Sequence, residues 1–190
     1  MLIAIGSKMR VGKDTAGSAL VRDCQFHRLS FAAPLKRLLM LTDPMVYPST
    51  PAVNLAPNNR VTHLVHGTDG WDSAKQRWPE IRRLLQNLGV GCREVFGEDC
   101  WVNLALAEAA KHDRSVITDL RFTNEAEAVR KAGGLLVRID RPGGMFDGHV
   151  SENDLDEWTD WDLILSNTGS VVELEAAIVD FVKTRERKRK

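Results

Sequence analysis

The stretch IAIGSKMRVGKDTAG, which starts at Ile3, constrains the fold of this chain more than any other segment. An apolar run at residues 2–5 predicts a short buried strand. A glycine-containing turn follows, and residues 14–24 then carry apolar side chains at helical spacing. A strand, a Gly-Lys loop and a helix in this order form the structural setting of a loop that binds phosphate groups.

The loop departs from the usual phosphate-loop pattern at two positions. That pattern is a glycine, four residues of any type, and then Gly-Lys followed by Ser or Thr. Counting back from Lys13, the first glycine is expected where Ser7 stands, and the glycine lies one step earlier at Gly6. The hydroxyl residue expected after the lysine is replaced by Asp14. Gly6 and the small Ser7 still allow a tight turn, so a phosphate site remains the favoured interpretation.

The residues at the end of this loop have the chemistry that a phosphate site needs. Gly12 permits the backbone path, and Lys13 supplies a mobile positive charge for phosphate oxygens. Asp14 offers a carboxylate oxygen to a hard divalent cation in place of the usual hydroxyl, and Thr15 follows it. The alternative is a strand-to-helix turn that only carries surface lysines.

The rest of the chain alternates strand-like and helix-like segments, which predicts an α/β protein. Its parallel sheet would be covered by helices on both faces. Strands are predicted at residues 26–31, 115–120, 135–141 and 161–167, and helices at 32–41, 79–89, 101–112, 124–134 and 170–182. Residues 42–77 are rich in proline without an apolar period, which predicts a long loop or an insertion.

Composition limits the classes of function. The chain has 190 residues, which suits one domain, and equal numbers of basic and acidic residues, 26 each. A net charge of zero gives no general argument for nucleic-acid or membrane binding. Neither a signal peptide nor a membrane span is predicted, and the three cysteines are expected to be free thiols in a reducing cytoplasm. The basic tail at 183–190 is expected to be a solvated, frayed end.

A second candidate site lies in SVITDLRF. Asp119 ends a hydrophobic strand, and the carboxyl ends of strands are where α/β sheets bind ligands. Such an aspartate can organise Mg²⁺ through water, and Arg121 can grip a phosphate with two hydrogen bonds. A structural ion pair between Asp119 and Arg121 is the alternative.

Two further groups of polar residues fit a nucleotide site. Arg82, Arg83 and Gln86 lie on one predicted helix, where Arg82 and Gln86 share a face. They could contact an acceptor phosphate and a base edge, or they could form an ordinary solvated surface. Arg138 and Arg141 adjoin a glycine-rich segment that could close as a lid and exclude water, or be a flexible surface loop.

Together these segments resemble the bacteriophage deoxynucleoside monophosphate kinase family. The resemblance rests on GKDT, FAAPLKR, RRLLQNLG, DCWVNLAL, TDLRFTNEAEAVRKAGG, RIDRPG, HVSE and LILSNTGSVVELE, in that order. It spans almost the whole chain except about residues 40–78. Members of this family also have the sequence Gly-Lys-Asp-Thr in the loop, so Asp14 is a family trait. Two features depart from the family pattern. The family usually has Ser-Gly where this chain has Gly6-Ser7, and it has a basic residue at position 9, where this chain has Met9 and the basic residue is Lys8 instead.

The resemblance implies a P-loop NTPase fold of the nucleoside monophosphate kinase type. A single domain over 1–190 would contain a helical monophosphate-binding insertion at about 40–105 and a lid at about 141–156. The implied reaction moves the γ-phosphoryl group of ATP to a deoxynucleoside monophosphate, with Mg²⁺, in the host cytoplasm if a phage encodes the chain. ATP and the monophosphate are the implied partners, without membrane or nucleic acid. Some members of the family are dimers, so the resemblance is compatible with a homodimer of this chain.

The resemblance also implies roles for particular residues. The catalytic set is Lys13, Arg82, Asp119, Arg121 and Arg141. The ATP-binding set is Ser7, Lys8, Arg10, Gly12, Lys13, Asp14, Thr15, Arg138 and Asn167. The monophosphate-binding set is Lys36, Arg82, Arg83, Gln86 and Trp101, with Trp101 stacking on the base. The metal-binding set is Asp14, Thr15 and Asp119, directly or through water.

Two other readings of the sequence stay open. The chain could be another small-metabolite kinase on the same fold, similar to animal-type phosphomevalonate kinase or dephospho-coenzyme A kinase. It could also be a nucleotide-binding module without kinase activity, using the basic tail on nucleic acid. The zero net charge argues against the second reading.

Overall fold

The computed structural model describes residues 1–6, 11–47, 59–142 and 154–188, and its centre is a parallel sheet. The strands are β1 (Leu2–Gly6), β2 (His27–Leu29), β3 (Ser115–Leu120), β4 (Leu135–Asp140) and β5 (Leu163–Ser166). Their order across the sheet is β2-β3-β1-β4-β5, and every neighbouring pair is parallel. The predicted α/β class with a parallel sheet is therefore confirmed.

Helices connect the strands and also form a separate group. They are α1 (Lys13–Cys24), α2 (Ala33–Thr42), α3 (Val61–His66), α4 (Trp71–Arg77), α5 (Pro79–Phe96), α6 (Cys100–Ala109), α7 (Thr123–Lys131) and α8 (Val171–Arg187). The chain divides into two compact units. The sheet unit comprises Met1–Phe31 and Val102–Lys190, and the helical unit comprises Ala32–Trp101.

The sheet unit buries apolar side chains on both faces of the sheet. Successive residues of a strand point to opposite faces. Ile3 and Ile5 of β1 accordingly pack in one cluster with Ile178 of α8, while Ala4 packs in another with Val129 of α7. All five are fully buried. The sequence predicts this double coverage because a strand buried on both faces reads as a continuous apolar run.

The helical unit corrects the prediction of an irregular segment at 42–77. The described part of that segment contains α3 and α4, and Val61, Leu64 and Ala74 are buried in the core of this unit. Helices of six and seven residues are too short to show a clear 3.6-residue apolar period.

Two predicted helix ends are also wrong. Gly89 does not end α5, which continues to Phe96 and stops at Gly97, whose φ is 95°. At the C-terminus α8 runs to Arg187, so the predicted fraying is wrong for residues 183–187. Arg185 there forms an ion pair with Asp162 at 3.2 Å.

All three cysteines are free, as the sequence predicts. No helix in the described part of the chain combines the length and apolar character needed to cross a membrane.

Candidate active site

The loop between β1 and α1 starts at the carboxyl edge of the sheet, at its central strand. Gly6, the last residue of β1, lies in register with Leu120 of β3 on one side and Arg138 of β4 on the other. From β1 the chain leads to β2 and β3 on one side of the sheet and later to β4 and β5 on the other. Open α/β sheets bind ligands at such a switch point, beyond the carboxyl ends of the strands.

Gly6 is required by close packing at the end of β1. A Cβ atom there would lie 3.0 Å from Cη2 of Trp161 and 3.2 Å from Cδ2 of Leu120. A larger residue would have to push these side chains away, so the early glycine has a structural reason of its own. The turn itself, with Ser7, Lys8 and Arg10, lies outside the described residues.

Gly12 is required by both conformation and space. It precedes the first residue of α1 with φ 108°, a value that side-chain-bearing residues rarely adopt. A Cβ atom on Gly12 would lie 2.7 Å from Cδ2 of Leu174 and 2.9 Å from Nδ2 of Asn167. The carbonyl of Gly12 accepts the N–H of Ala16 at 3.0 Å, which begins the helix.

Asn167 positions the end of the loop through two hydrogen bonds. The residue is buried, and its Nδ2 donates to the carbonyl of Val11 at 2.8 Å. Its backbone N–H donates to the carbonyl of Asp140 at 2.7 Å, which joins the loop to the end of β4. Asn167 is thus a positioning residue for the loop, and its contact with adenine stays a prediction.

Lys13 is the first residue of α1 and is half-buried. The first N–H groups of a helix have no partner within the helix, and together with the helix dipole they favour an anion. A lysine at this point adds a full positive charge to that field. The structure therefore places Lys13 at the N-terminus of α1, and its binding of phosphate stays a prediction.

Asp14 has a partner that the sequence analysis missed. Nη2 of Arg28, on β2, forms an ion pair with Oδ1 of Asp14 and donates to Oγ1 of Thr118 at 3.2 Å. Oγ1 of Thr118 is itself 3.4 Å from Oδ1 of Asp14. Close packing of α1 on β3 creates this cluster, since a Cβ on Gly17 would collide with Cγ2 of Thr118.

The oxygen atoms near the start of α1 suit a hard divalent cation. Asp14 contributes a carboxylate whose side chain is 81% exposed, and Thr15 and Thr118 contribute hydroxyls. Within the described ranges, no three His, Cys, Asp or Glu side chains are grouped so that they could hold a metal by themselves. A cation here would thus need further oxygen ligands, which the phosphates of a nucleotide would provide.

Asp119 fastens the chain segment that follows β2. Its Oδ2 accepts from Oγ of Ser30 at 2.6 Å, and its Oδ1 accepts from the backbone N–H of Phe31 at 2.8 Å. These bonds fix the last two residues before the helical unit begins. The predicted part of Asp119 in organising a metal through water stays a prediction.

Arg121 and the buried Glu125 are linked at the start of α7. Oε2 of Glu125 accepts from the backbone N–H groups of Arg121 at 2.7 Å and of Phe122 at 3.1 Å. Burial raises the pKa of Glu125 to about 7, and the nearby charge of Asp119 acts in the same direction. The two N–H bonds and the charge of Arg121 oppose this rise in pKa.

The two predicted lid arginines differ in their surroundings. Nε of Arg138 is 2.7 Å from Oδ1 of Asp140, two residues further along β4 and on the same side of the strand. Arg141 directly follows β4 and is exposed. Most of the predicted lid, including His149, lies outside the described residues.

In the helical unit, several basic residues interact with the carboxylate of Asp72. Nζ of Lys36, on α2, is 5.9 Å from the ring centroid of Trp71, the first residue of α4. Asp72 follows Trp71 and forms an ion pair with Lys75 at 2.6 Å. The hydrogen bond from Lys75 lowers the pKa of Asp72 most, and the charges of Lys36 and Arg82 lower it further. Lys36 and Arg82 therefore both stabilise the charged form of this carboxylate, although they belong to different helices.

Among the other predicted monophosphate-binding residues, Arg83 and Gln86 lie on α5 and Trp101 lies on α6. Positions 82, 86 and 89 share one helix face, and Nε1 of Trp101 donates to the carbonyl of Gly89 at 3.1 Å. Gln86 is exposed on this face. Arg83 instead forms an ion pair with Glu80, one turn earlier, at 2.5 Å. A role for Arg83 with the acceptor stays a prediction.

The fold of the parallel sheet and its helices is shared with a solved kinase structure. The solved structure of shikimate kinase from Aquifex aeolicus superimposes with a TM-score of 0.50, at 15% identity, over 98% of each chain. A model of the deoxynucleotide monophosphate kinase family matches residues 52–178. The chain belongs to this deoxynucleotide monophosphate kinase family.

Two viral relatives support this membership. A protein of Acanthamoeba polyphaga mimivirus, assigned as a deoxynucleotide monophosphate kinase, is 30% identical over 198 residues, which cover 96% of each chain. The deoxynucleotide monophosphate kinase of Enterobacteria phage T4 is 28% identical over 165 residues, 83% of this chain and 64% of the T4 protein. The resemblance that the sequence motifs indicate is therefore confirmed.

Proposed function

We propose that the protein transfers the γ-phosphoryl group of ATP to a deoxynucleoside 5′-monophosphate and releases the diphosphate and ADP. The observation that carries the proposal is the start of α1. Gly12 and Lys13 follow the central strand of the sheet at its carboxyl edge, in a chain of the deoxynucleotide monophosphate kinase family. A phosphate donor at this place would meet the helix N-terminus and the lysine together.

Phosphoryl transfer depends mainly on position and on neutralising charge. Lys13 and the first N–H groups of α1 would hold the β- and γ-phosphates and stabilise the charge on the transferred group. Asn167, through its hydrogen bond to the carbonyl of Val11, and Gly12 would position the end of the loop for this task. Mg²⁺, held by Asp14 and Thr15 and through water by Asp119, would supply further positive charge to the phosphates.

The acceptor would bind in the helical unit. Lys36 and Arg82 provide the charge for a phosphate dianion, and both already lie near one carboxylate, that of Asp72. Gln86 lies one turn from Arg82 on the same helix face and could meet a base edge. The indole of Trp101 offers a ring on which different bases could stack. These placements support an acceptor that combines a phosphate with a base.

The sharpest test supplies ATP with each of dTMP, dGMP, dCMP and dAMP and detects diphosphate by chromatography, with ADP measured in a coupled assay. Diphosphate formation with one or more of them is expected. Lys13→Ala should abolish most of the turnover. Lys111→Ala is the matched control, since Lys111 is an exposed lysine that pairs with Glu108 at 2.6 Å, and it should retain the activity.

Two results would contradict the proposal. Phosphorylation of phosphomevalonate or dephospho-coenzyme A, without activity on any of the four monophosphates, would point to another small-metabolite kinase. ATP binding without any phosphorylated product, together with salt-sensitive DNA binding, would point to a nucleotide-binding module.

A further inference from the structure

Asp72 is an acidic side chain of the helical unit that is paired with one basic residue and stabilised by the charges of two others. It forms a direct ion pair with Lys75, and the positive charges of Lys36 and Arg82 lower the pKa of its carboxyl group. The three basic residues come from three different helices, α2, α4 and α5. The side chain of Asp72 is 89% exposed, so the carboxylate lies where a dissolved anion could reach the same positive groups.

Packing keeps the cluster in place. The ring of Trp71 packs against the core of the helical unit, in the cluster that includes Leu84 and Leu85 of α5. Trp71 thus ties the start of α4 to α5, and Lys36 lies over its ring. The side chain of Lys75 is 22% exposed, so much of its aliphatic stem is covered. The positive groups are therefore held together by the fold and not by Asp72 alone.

We propose that Asp72 is an internal counter-ion that occupies the place of the acceptor phosphate, and that the monophosphate displaces it from Lys75. Trp71 and Lys75 thereby become parts of the acceptor site, although the sequence gives neither a role. Lys75, Lys36 and Arg82 already stabilise a negative charge at this position, which suits a phosphate dianion. This inference rests on the proposed function, because it identifies the cluster as the acceptor site.

A counter-ion of this kind would affect selectivity as well as affinity. The repulsion between Asp72 and a bound anion increases in proportion to the charge of the anion. A triphosphate carries more negative charge than a monophosphate, so the carboxylate disfavours ATP more strongly than the correct acceptor. Asp72 thus weakens the binding of the acceptor at this site, and it weakens the binding of the donor nucleotide there by a larger factor.

The test measures binding to the complete protein without turnover. Each of the four deoxynucleoside monophosphates, inorganic phosphate and ATP are titrated by calorimetry into wild type, Asp72→Asn and Glu94→Gln. Glu94 is the matched control, an exposed carboxylate on α5 that lies about 18 Å along the helix from Arg82. Asp72→Asn should lower the Kd for the monophosphate by about threefold to tenfold, and Glu94→Gln should leave it unchanged.

Two further variants separate this role from a structural one. Lys75→Gln should raise the Kd for the monophosphate, whereas a simple surface ion pair would change stability slightly and leave binding alone. The chain has five tryptophans, so a fluorescence change on binding does not by itself identify the ring that responds. Loss of that change in Trp71→Phe would place the ligand at Trp71. ATP that binds in the acceptor site would inhibit phosphorylation of the monophosphate. This inhibition at high ATP concentration should be stronger in Asp72→Asn than in wild type.

An unchanged or higher Kd for the monophosphate in Asp72→Asn would overturn the inference. The outcome is distinguishable from failure of the proposed function. If no monophosphate is phosphorylated but Asp72→Asn still tightens phosphate binding, the anion site stands and the kinase reaction fails. If diphosphate is formed while Asp72→Asn leaves every Kd unchanged, only the role of Asp72 fails.

Discussion

Arg28 on β2 forms an ion pair with Asp14, the residue that follows the loop lysine at the start of α1. The same guanidinium nitrogen reaches Oγ1 of Thr118 on β3. The carboxylate that replaces the usual hydroxyl of the loop is therefore shared with a neighbouring strand. A cation bound by Asp14 would have to compete with Arg28 for the same oxygen atom.

Arg28→Gln is expected to lower the Mg²⁺ concentration that gives half-maximal activity by roughly threefold to tenfold. The substitution removes a positive charge close to the proposed cation position and releases Oδ1 of Asp14. Calorimetric titration of Mg²⁺ into the protein with ADP should show the same shift. Stability should fall by at most about 1 kcal/mol, because the pair is substantially exposed to solvent.

Arg22→Gln is the control for this experiment. Arg22 also pairs with carboxylates, Asp23 and Glu175, but at the other end of α1. Its loss should leave the Mg²⁺ requirement unchanged. A higher Mg²⁺ requirement in Arg28→Gln would mean that Arg28 orients Asp14 for the cation instead of competing with it.

Gly12→Ala is expected to damage both stability and activity. The backbone at Gly12 has φ 108°, and the added Cβ would approach Leu174 and Asn167 to within 2.9 Å. Strained backbone of this kind costs on the order of 1–3 kcal/mol per residue, before the steric overlap is added. Thermal or urea unfolding measures the loss of stability, and the coupled assay measures the loss of turnover.

Gly91→Ala serves as the comparison. Gly91 lies inside α5, and a Cβ there would meet no atom within 4 Å among the described residues. Since glycine weakens a helix interior, this variant should gain about 0.5–1 kcal/mol. Equal stability of the two variants would show that the conformation at Gly12 is not required.

The sequence predicts the central strands β1, β3 and β4 well because they are buried on both faces. β3 coincides with the predicted range, residues 115–120, because this run contains three consecutive β-branched residues, which favour strands, and five of its six residues are buried. The alternation of helices and strands then restricts the topology to a parallel sheet. Lys13 and Asp14 could be selected as candidates because Gly-Lys-Asp-Thr is a local pattern in the sequence, and their roles stay predictions.

The partners of the site residues could not be predicted in the same way. Arg28 lies in a strand of only three residues, and its contacts with Asp14 and Thr118 depend on the packing of three elements. Asp72 and Lys75 lie on α4, which is too short to give a periodic signal. The contacts of Arg28 join residues far apart in the chain, and such pairs have no local signature in one sequence.

The buried Glu125 should make stability fall as the pH rises. Its pKa is raised from 4.5 to about 7 in the folded protein, so the folded state binds the proton more tightly than the unfolded state. The stabilisation is complete below about pH 4.5 and is lost as the pH rises through about 7. Such a shift corresponds to an effect on the order of 3 kcal/mol.

Glu125→Gln tests this assignment. The amide oxygen can still accept from the N–H groups of Arg121 and Phe122, but it cannot ionise. Urea unfolding between pH 5 and pH 8 should therefore show a smaller loss of stability in this variant than in wild type. Glu127→Gln, an exposed position on the same helix, should keep the wild-type dependence. Identical pH profiles for wild type and Glu125→Gln would mean that Glu125 ionises normally.

Arg82 and Arg83 are neighbours in sequence with different surroundings, so their substitutions should have different effects. Arg82 acts on Asp72 within the proposed acceptor site, whereas Arg83 is paired with Glu80 at 2.5 Å. Arg82→Ala should raise KM for the monophosphate by about tenfold or more and change KM for ATP little, since a charge-assisted contact with the phosphate is lost.

Arg83→Ala should raise the same KM much less, because its charge is already largely neutralised by Glu80. Steady-state kinetics with each substrate varied at saturation of the other measures both constants. If Arg82→Ala raised KM for ATP more than KM for the monophosphate, Arg82 would belong to the donor site. If Arg83→Ala had the larger effect on the monophosphate, the Arg83–Glu80 pair would have to open on binding, and Arg83 would be the phosphate ligand on this helix.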